Sequence, residues 1–238
     1  MNTVALPSPE PGAAWRRLHA AACAPYRAAG RFAWHFARGK LGRDPVFRAL
    51  VEQGLMAGRE RVVDIGCGQG LLASLLHEAR TTPGPWPAIT AREYTGIELM
   101  PADVRRATAA VGDRGRFVCD DMRRAELPRC DLAVILDVLH YVDHADQAAL
   151  LARVHAALQP RGRLLLRIGD QADTRGYAWS RWTDTVITWV RGHRVPPTFG
   201  RTAAEWRTLL EGQGFAVQVQ RMSQGTPFAN TLLVADCA

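Results

Sequence analysis

The chain has 238 residues, 47% of them hydrophobic, and a formal net charge of +7. That length holds one α/β domain with a modest appendage, and no stretch approaches the ~20 consecutive apolar residues of a membrane span. The five cysteines (Cys23, Cys67, Cys119, Cys130 and Cys237) have no paired metal-ligand spacing, so no metal site is expected and reduced thiols in a cytoplasmic protein are.

Residues 1–12 are proline-rich and predicted to be disordered, and Met1 to Pro9 lack the basic-then-apolar pattern of a signal peptide. A helix is predicted over Ala13–Cys23, stopped by Pro25, and a second over Arg31–Arg38, with Phe32 and Phe36 sharing a face. A third has Asp44 as N-cap and Pro45 in first position, turns Phe47, Leu50 and Val51 inward and stops at Gly54. Between Arg16 and Arg48 eight basic residues accompany one acid, Asp44; Lys40 is the chain's only lysine. That excess suits an anionic partner or a solvated helical face. Tyr26, Phe32, Trp34 and Phe36, with His35 among them, fit an acceptor lid or the plain packing of these helices. Residues 1–54 are therefore read as a tail and helical cap, and 55–238 as an α/β domain.

Strand and helix then alternate, the signature of a parallel sheet. Arg61–Ile65 reads as a strand and Leu71–Ala79 as a helix, with a proline-rich loop from Thr81 to Ala88. Strand Glu93–Ile97 ends in Glu98, and helix Pro101–Ala110 follows. Strand Arg116–Cys119 ends in Asp120, Asp121 and Met122; strand Leu132–Leu136 ends in Asp137. Helix Ala145–Leu158 and the turn Pro160-Arg161-Gly162 lead into strand Arg163–Ile168. Residues 169–200, with Trp179, Trp182 and Trp189, are too long for a plain connection and are predicted to form a helical insertion at the sheet's carboxyl edge. A capping box at Thr202–Glu205 opens a helix ending near Gly212 or Gly214, and strands Phe215–Gln220 and Thr231–Ala235 close a doubly wound, seven-stranded, mostly parallel sheet.

Ligands in such a sheet bind beyond the carboxyl ends of the strands, where the chain collects Asp64, Glu98, Asp120, Asp121 and Asp137. Asp64 precedes a turn of alternate glycines, Gly66, Gly68 and Gly70, with Cys67 inside it. Glycine permits positive φ and close ligand approach, and the following helix start offers free amides. A dinucleotide fingerprint needs glycine where Leu71 stands, and Asp64 repels a pyrophosphate but suits an ammonium group. Glu98 can accept two ribose hydroxyls through charge-assisted bonds, and Leu99 and Met100 can pack on a purine.

From Asp64 to Gly70 the sequence resembles motif I of the class I S-adenosylmethionine methyltransferases, and the likeness extends over about residues 60–168. It implies a Rossmann-like methyltransferase fold and S-adenosylmethionine as cofactor, with its methionine part on the glycine turn. It also implies adenine contacts from Asp121 and Met122, Asp120 standing beside them. Asp137-Val138-Leu139-His140-Tyr141 matches the family's segment after strand 4. His140 is then the candidate base for a hydroxyl acceptor, with His35 and His193 as rivals, and Tyr141, Trp179 and Trp182 join the candidate acceptor wall. A weaker likeness, in Trp34–Leu41, Asp44–Phe47 and Gly225–Asn230, is to methyltransferases of bacterial aryl-polyene pigment clusters. It implies secondary metabolism and an aromatic or acyl-chain acceptor, methylated at oxygen or ring carbon and delivered on a carrier protein. A DNA amino-methylating motif after strand 4 is absent and no cysteine follows a proline, so nucleic acid is not the expected partner. Nucleic-acid or protein methylation and cofactor binding without catalysis stay open; a nicotinamide oxidoreductase is opposed by Leu71 and by the acids.

Overall fold

The computed structural model describes residues 11–82, 84–170, 198–222 and 230–237. Near-continuous apolar strands build one sheet of seven: β1 (Arg61–Ile65), β2 (Glu93–Glu98), β3 (Arg116–Cys119), β4 (Cys130–Leu136), β5 (Leu158–Gly169), β6 (Phe215–Arg221) and β7 (Asn230–Cys237). Their order is β3-β2-β1-β4-β5-β7-β6. All neighbours are parallel except β7, which runs antiparallel to both β5 and β6. The chain reverses direction across the sheet between β1 and β4, so the loops after β1 and β4 flank one crevice at the carboxyl edge.

Seven α-helices are described: α1 (Pro11–Cys23), α2 (Arg31–Arg43), α3 (Pro45–Glu52), α4 (Leu71–Thr81), α5 (Pro101–Val111), α6 (His144–Ala157) and α7 (Ala203–Gly212). The expected caps hold: Asp44 accepts from the Val46 amide with Pro45 behind it, and Thr202 and Glu205 form a reciprocal capping box. Two boundaries differ from expectation. Helix α2 runs past Arg38 through Gly39 and Gly42, because Ala33, Ala37 and Leu41 form a buried stripe at i, i+4 spacing. A side chain at Gly42 would also crowd the His19 ring, its Cβ 3.1 Å from Nε2, so this glycine lets α1 and α2 pack closely. The expected turn at residues 160–162 lies within β5 as an irregularity, with Arg161 at φ 61° and the register to β4 shifting between Cys130 and Leu132.

The residue 54/55 boundary does not divide the packing. Trp15, Leu18, Tyr26, Leu41, Phe47 and Leu50 share one hydrophobic core with Val62 of β1, Leu72 and Leu75 of α4 and Leu232 of β7. Helix α1 lies against α4, and the Ser74 hydroxyl donates to Ala22 O at 2.8 Å. The N-terminal helices are thus built into the α/β unit. Of the expected insertion, residues 171–197, with Trp179, Trp182, Trp189 and His193, lie outside the described residues, as do residues 225–229 of the weaker resemblance.

Candidate functional site

The glycine loop has the geometry its composition demands. Gly66, Gly68 and Gly70 take φ of 77°, 55° and 71°, values that strain a residue with a Cβ. A Cβ on Gly66 would stand 2.5 Å from the Val138 side chain, and one on Gly70 would stand 2.9 Å from the Phe117 ring. The loop is thereby wedged between β4 and β3. The amides of Gly66 and Cys67 donate to Ile97 O at 2.8 and 3.1 Å, fixing it to the end of β2. A Cβ on Gly68 would meet no atom within 4 Å. The cradle opens there.

Glu98 is bound to that opening. One carboxylate oxygen accepts the Gly68 amide and the other the Met100 amide, each at 2.9 Å. Burial raises its pKa, and these two amide bonds oppose the rise. A carboxylate offers about four lone-pair directions, so roughly half remain for hydroxyl groups. Leu99, 59% exposed, presents a large apolar surface beside it. The end of β2 and the Gly68 opening therefore suit a nucleoside: hydroxyls on Glu98, a flat ring on Leu99 and Met100. On these grounds the residues present fit the adenosine part of S-adenosylmethionine.

At the end of β3, Asp120 accepts from the Asp121 amide and from Arg124, while the Asp121 carboxylate is forked by Arg123, which holds its pKa down. Met122 packs partly buried against the lower core.

Three of the expected assignments meet partners within the protein. Asp64 is the first. It is 4% exposed and accepts the hydroxyl of Tyr94, which lies on the same sheet face one strand away. Burial pushes its pKa up to about 7, against the Tyr94 bond and with Glu98 adding to the rise. Asp137 is spent on ion pairs. It takes an αL conformation, φ 59°, at the end of β4. Its carboxylate is gripped by Arg167 of β5 and lies 3.6 Å from Lys40. Arg167 is buried and also forks Asp44, whose other cation is Lys40 at 2.8 Å. Burial works against both charges, yet Arg167 and Lys40 hold the Asp44 pKa well below the usual carboxylate range, and the two carboxylates raise that of Arg167.

The third is the aromatic set of the cap, described for Tyr26, Phe32, Trp34 and Phe36. Tyr26 is fully buried and its hydroxyl donates to Gln69 O at 2.9 Å, so it braces the glycine loop from behind. Trp34 is held between the guanidinium groups of Arg27 and Arg38, with exposed His35 beside it. Phe32, 52% exposed, stacks on Phe36 and lies under Arg106.

His140 and Tyr141 form the 3₁₀ turn that follows β4 (Leu139–Tyr141), their ring centroids 4.1 Å apart. The turn is tied down: Phe199 N donates to His140 O at 2.8 Å, and the Gln147 carboxamide nitrogen donates to Leu139 O, Val142 O and Phe199 O. Burial lowers the His140 pKa, with Asp137 opposing. That direction favours the neutral, proton-accepting ring.

Sequence reading passed over Arg167, Tyr94 and Gln69. Arg167 carried a signal, a lone charge inside Leu164-Leu165-Leu166-Arg167-Ile168; Tyr94 and Gln69 carried none. Among the described residues no cluster of three or more His, Cys, Asp or Glu could hold a metal ion.

A family profile describing a methyltransferase domain matches residues 23–220. Acetylserotonin O-methyltransferase of Mus musculus is 34% identical over 169 residues, 65% of this chain and 39% of that protein. The tetracenomycin polyketide synthesis 8-O-methyl transferase TcmO of Streptomyces glaucescens is 32% identical over 105 residues, 44% of this chain and 29% of that protein. The chain thus spans well under half the length of these two relatives. Among solved structures, human N-acetylserotonin methyltransferase in complex with SAM superposes with a TM-score of 0.61 at 18% identity, covering 94% of this chain and 66% of that one.

Proposed function

The chain belongs to the class I S-adenosylmethionine-dependent methyltransferases, and from that premise we propose that it methylates a small organic acceptor, aromatic or acyl-chain, at oxygen or a ring carbon. The observation that carries the reading is the Glu98 carboxylate, held by the Gly68 and Met100 amides at the mouth of the glycine cradle. Two relatives that are O-methyltransferases by name support an oxygen acceptor.

The chemistry supplied by the cofactor when bound is an electrophilic methyl group. With it bound, Glu98 would take the ribose hydroxyls, Leu99 and Met100 would line the nucleobase, and Asp121 and Met122 would edge it. Neutral His140 takes the acceptor's proton, and Tyr141 helps to shape the acceptor's place. Holding acceptor and methyl group in line supplies much of the rate. The segments Trp34–Leu41, Asp44–Phe47 and Gly225–Asn230 favour an aryl-polyene type of secondary metabolism, with the acceptor carried on an acidic carrier protein. Helices α1 and α2 contain no acidic residue and present exposed Arg16, Arg17, Arg31, Arg38 and Arg43, a surface of the right charge for that partner.

Mass spectrometry of the purified protein with S-adenosylmethionine and a panel of hydroxylated aryl and aryl-polyenoyl acceptors should give singly methylated products. No product from any aryl or acyl acceptor would set aside this acceptor class. The cofactor site is tested separately. Glu98→Ala should weaken S-adenosylmethionine binding by about 1.5–3 kcal/mol, the worth of hydrogen bonds to a charged group. Unchanged affinity by calorimetry in a folded variant would remove Glu98 from the ribose.

A further inference from the structure

At the opposite end of β2 from Glu98 lies a cavity of about 210 Å³, bounded by α4, the start of β2 and the 3₁₀ turn after α5 (Gly112–Arg114). Part of its lining is apolar: Leu76 of α4 and Tyr94 of β2 are both buried residues. The Tyr94 hydroxyl is engaged by Asp64, so Tyr94 brings the cavity carbon surface and no free donor.

Three arginines join that lining: Arg80 in the last turn of α4, Arg92 just before β2 and Arg114 after α5. Arg114 is fixed in place. It donates to Ala110 O at 2.9 Å and Val111 O at 2.8 Å, at the carbonyl end of α5, and to Glu78 at 3.3 Å. These bonds use three of its five N–H groups. Arg80 and Arg92 are exposed, and among the described residues neither side chain has a hydrogen-bond or ion-pair partner. Asp113, the acid in the lining, is paired with neither of them. His77 stands beside these charges: burial lowers its pKa, Arg114 and Arg80 lower it further, and Glu78 opposes. A ligand that meets both kinds of surface has an apolar body and an anionic head. A cavity of about 150 Å³ admits a benzene ring, so one of about 210 Å³ holds a ring with its carboxylate. The planar carboxylate matches a guanidinium fork. An inorganic anion would meet the arginines and leave Leu76 and Tyr94 uncovered.

We propose that this cavity is a second ligand site, apart from the methyl-transfer crevice, and that it takes a small aryl carboxylate. The ring covers Leu76 and Tyr94, and the carboxylate accepts from Arg80, Arg92 and Arg114.

The test titrates the full chain with three probes, read by calorimetry or ligand-detected NMR: benzoate, benzamide and inorganic phosphate. Benzamide keeps the ring and lacks the charge; phosphate keeps the charge and lacks the ring. Benzoate should bind saturably, and each of the others about 10-fold more weakly or worse. The double variant Arg80→Gln, Arg92→Gln should bind benzoate about 10-fold more weakly, the worth of two solvent-screened ion pairs together. Its melting temperature should equal the wild type's, since neither side chain has a partner to lose. Ala91→Phe fills the cavity from its wall and leaves every arginine in place, and it should abolish benzoate binding. Unchanged benzoate affinity in both variants places the probe in the crevice and overturns the proposal. Benzamide or phosphate binding as tightly as benzoate overturns the aryl carboxylate, and a wild-type chain that binds no benzoate overturns the site.

Discussion

His140→Ala is expected to lower kcat by about 10²–10⁴-fold, the usual scale for a lost acid–base group, with S-adenosylhomocysteine affinity unchanged. The turn that carries His140 follows β4, beside Val138 against which Gly66 packs. Gln147 and Phe199 hold that turn from below, so the ring sits on a fixed platform. The lowered pKa of the buried ring fixes the sign of the pH response. The base form persists below the ordinary histidine value of about 6.5. Acceptor turnover should therefore hold as pH falls through that value and decline only at lower pH, and the variant should lack this limb. Stability runs the other way: the unfolded chain binds the proton more tightly, so the folded state loses stability as pH drops below about 6.5. Steady-state kinetics across pH supply the check. A fully active His140→Ala protein would transfer the role to exposed His35, to solvent, or to an acceptor carbon that needs no base here.

Arg167→Met should cost about 3–5 kcal/mol of folding stability, because it removes a fully buried cation and leaves the largely buried Asp44 carboxylate facing the partly exposed one of Asp137 without it. Against a domain stability of roughly 5–15 kcal/mol, that brings the variant close to unfolding. Lys40 cannot compensate. Its ammonium lies 2.8 Å from Asp44 and 3.6 Å from Asp137 and lacks a guanidinium's planar fork. Arg167→Lys should fail to restore stability for the same reason. Adding Asp44→Asn and Asp137→Asn to Arg167→Met should recover most of the loss, since the uncompensated charges are then gone. Urea denaturation of the single and triple variants decides it. Equal stability of Arg167→Met and the wild type would mean that water reaches the cluster and screens it.

The sheet was legible because its strands are apolar runs with sharp punctuation, and β3 falls where Arg116–Cys119 placed it. Glycine spacing and the acids at the strand ends located the crevice. Which acids face the ligand was not legible. Asp64 is next to last in β1 and Glu98 last in β2. The register sets Asp64 beside Gly96, so both acids lie on one sheet face with Glu98 two residues nearer the carboxyl edge; that step, which gives Asp64 to Tyr94 and Glu98 to the Gly68 amide, is read only once β1 is set against β2. The ion pair of Asp137 was hidden because its partner, Arg167, is 30 residues away, on the neighbouring strand. The packing of the cap was hidden for a similar reason. Aromatic residues at helical spacing look alike whether they line an acceptor or, as Tyr26 does, brace a loop 43 residues on.

The lone lysine has a practical consequence. Every other basic residue is an arginine, and reagents that acylate amines pass over guanidinium groups. Lys40 is therefore the single side chain such a reagent can label, and at 37% side-chain exposure it is within reach. A fluorophore attached there would sit where α2 meets the ends of β4 and β5, on the rim of the crevice. Its emission would report occupancy of the crevice without an engineered cysteine among the five already present.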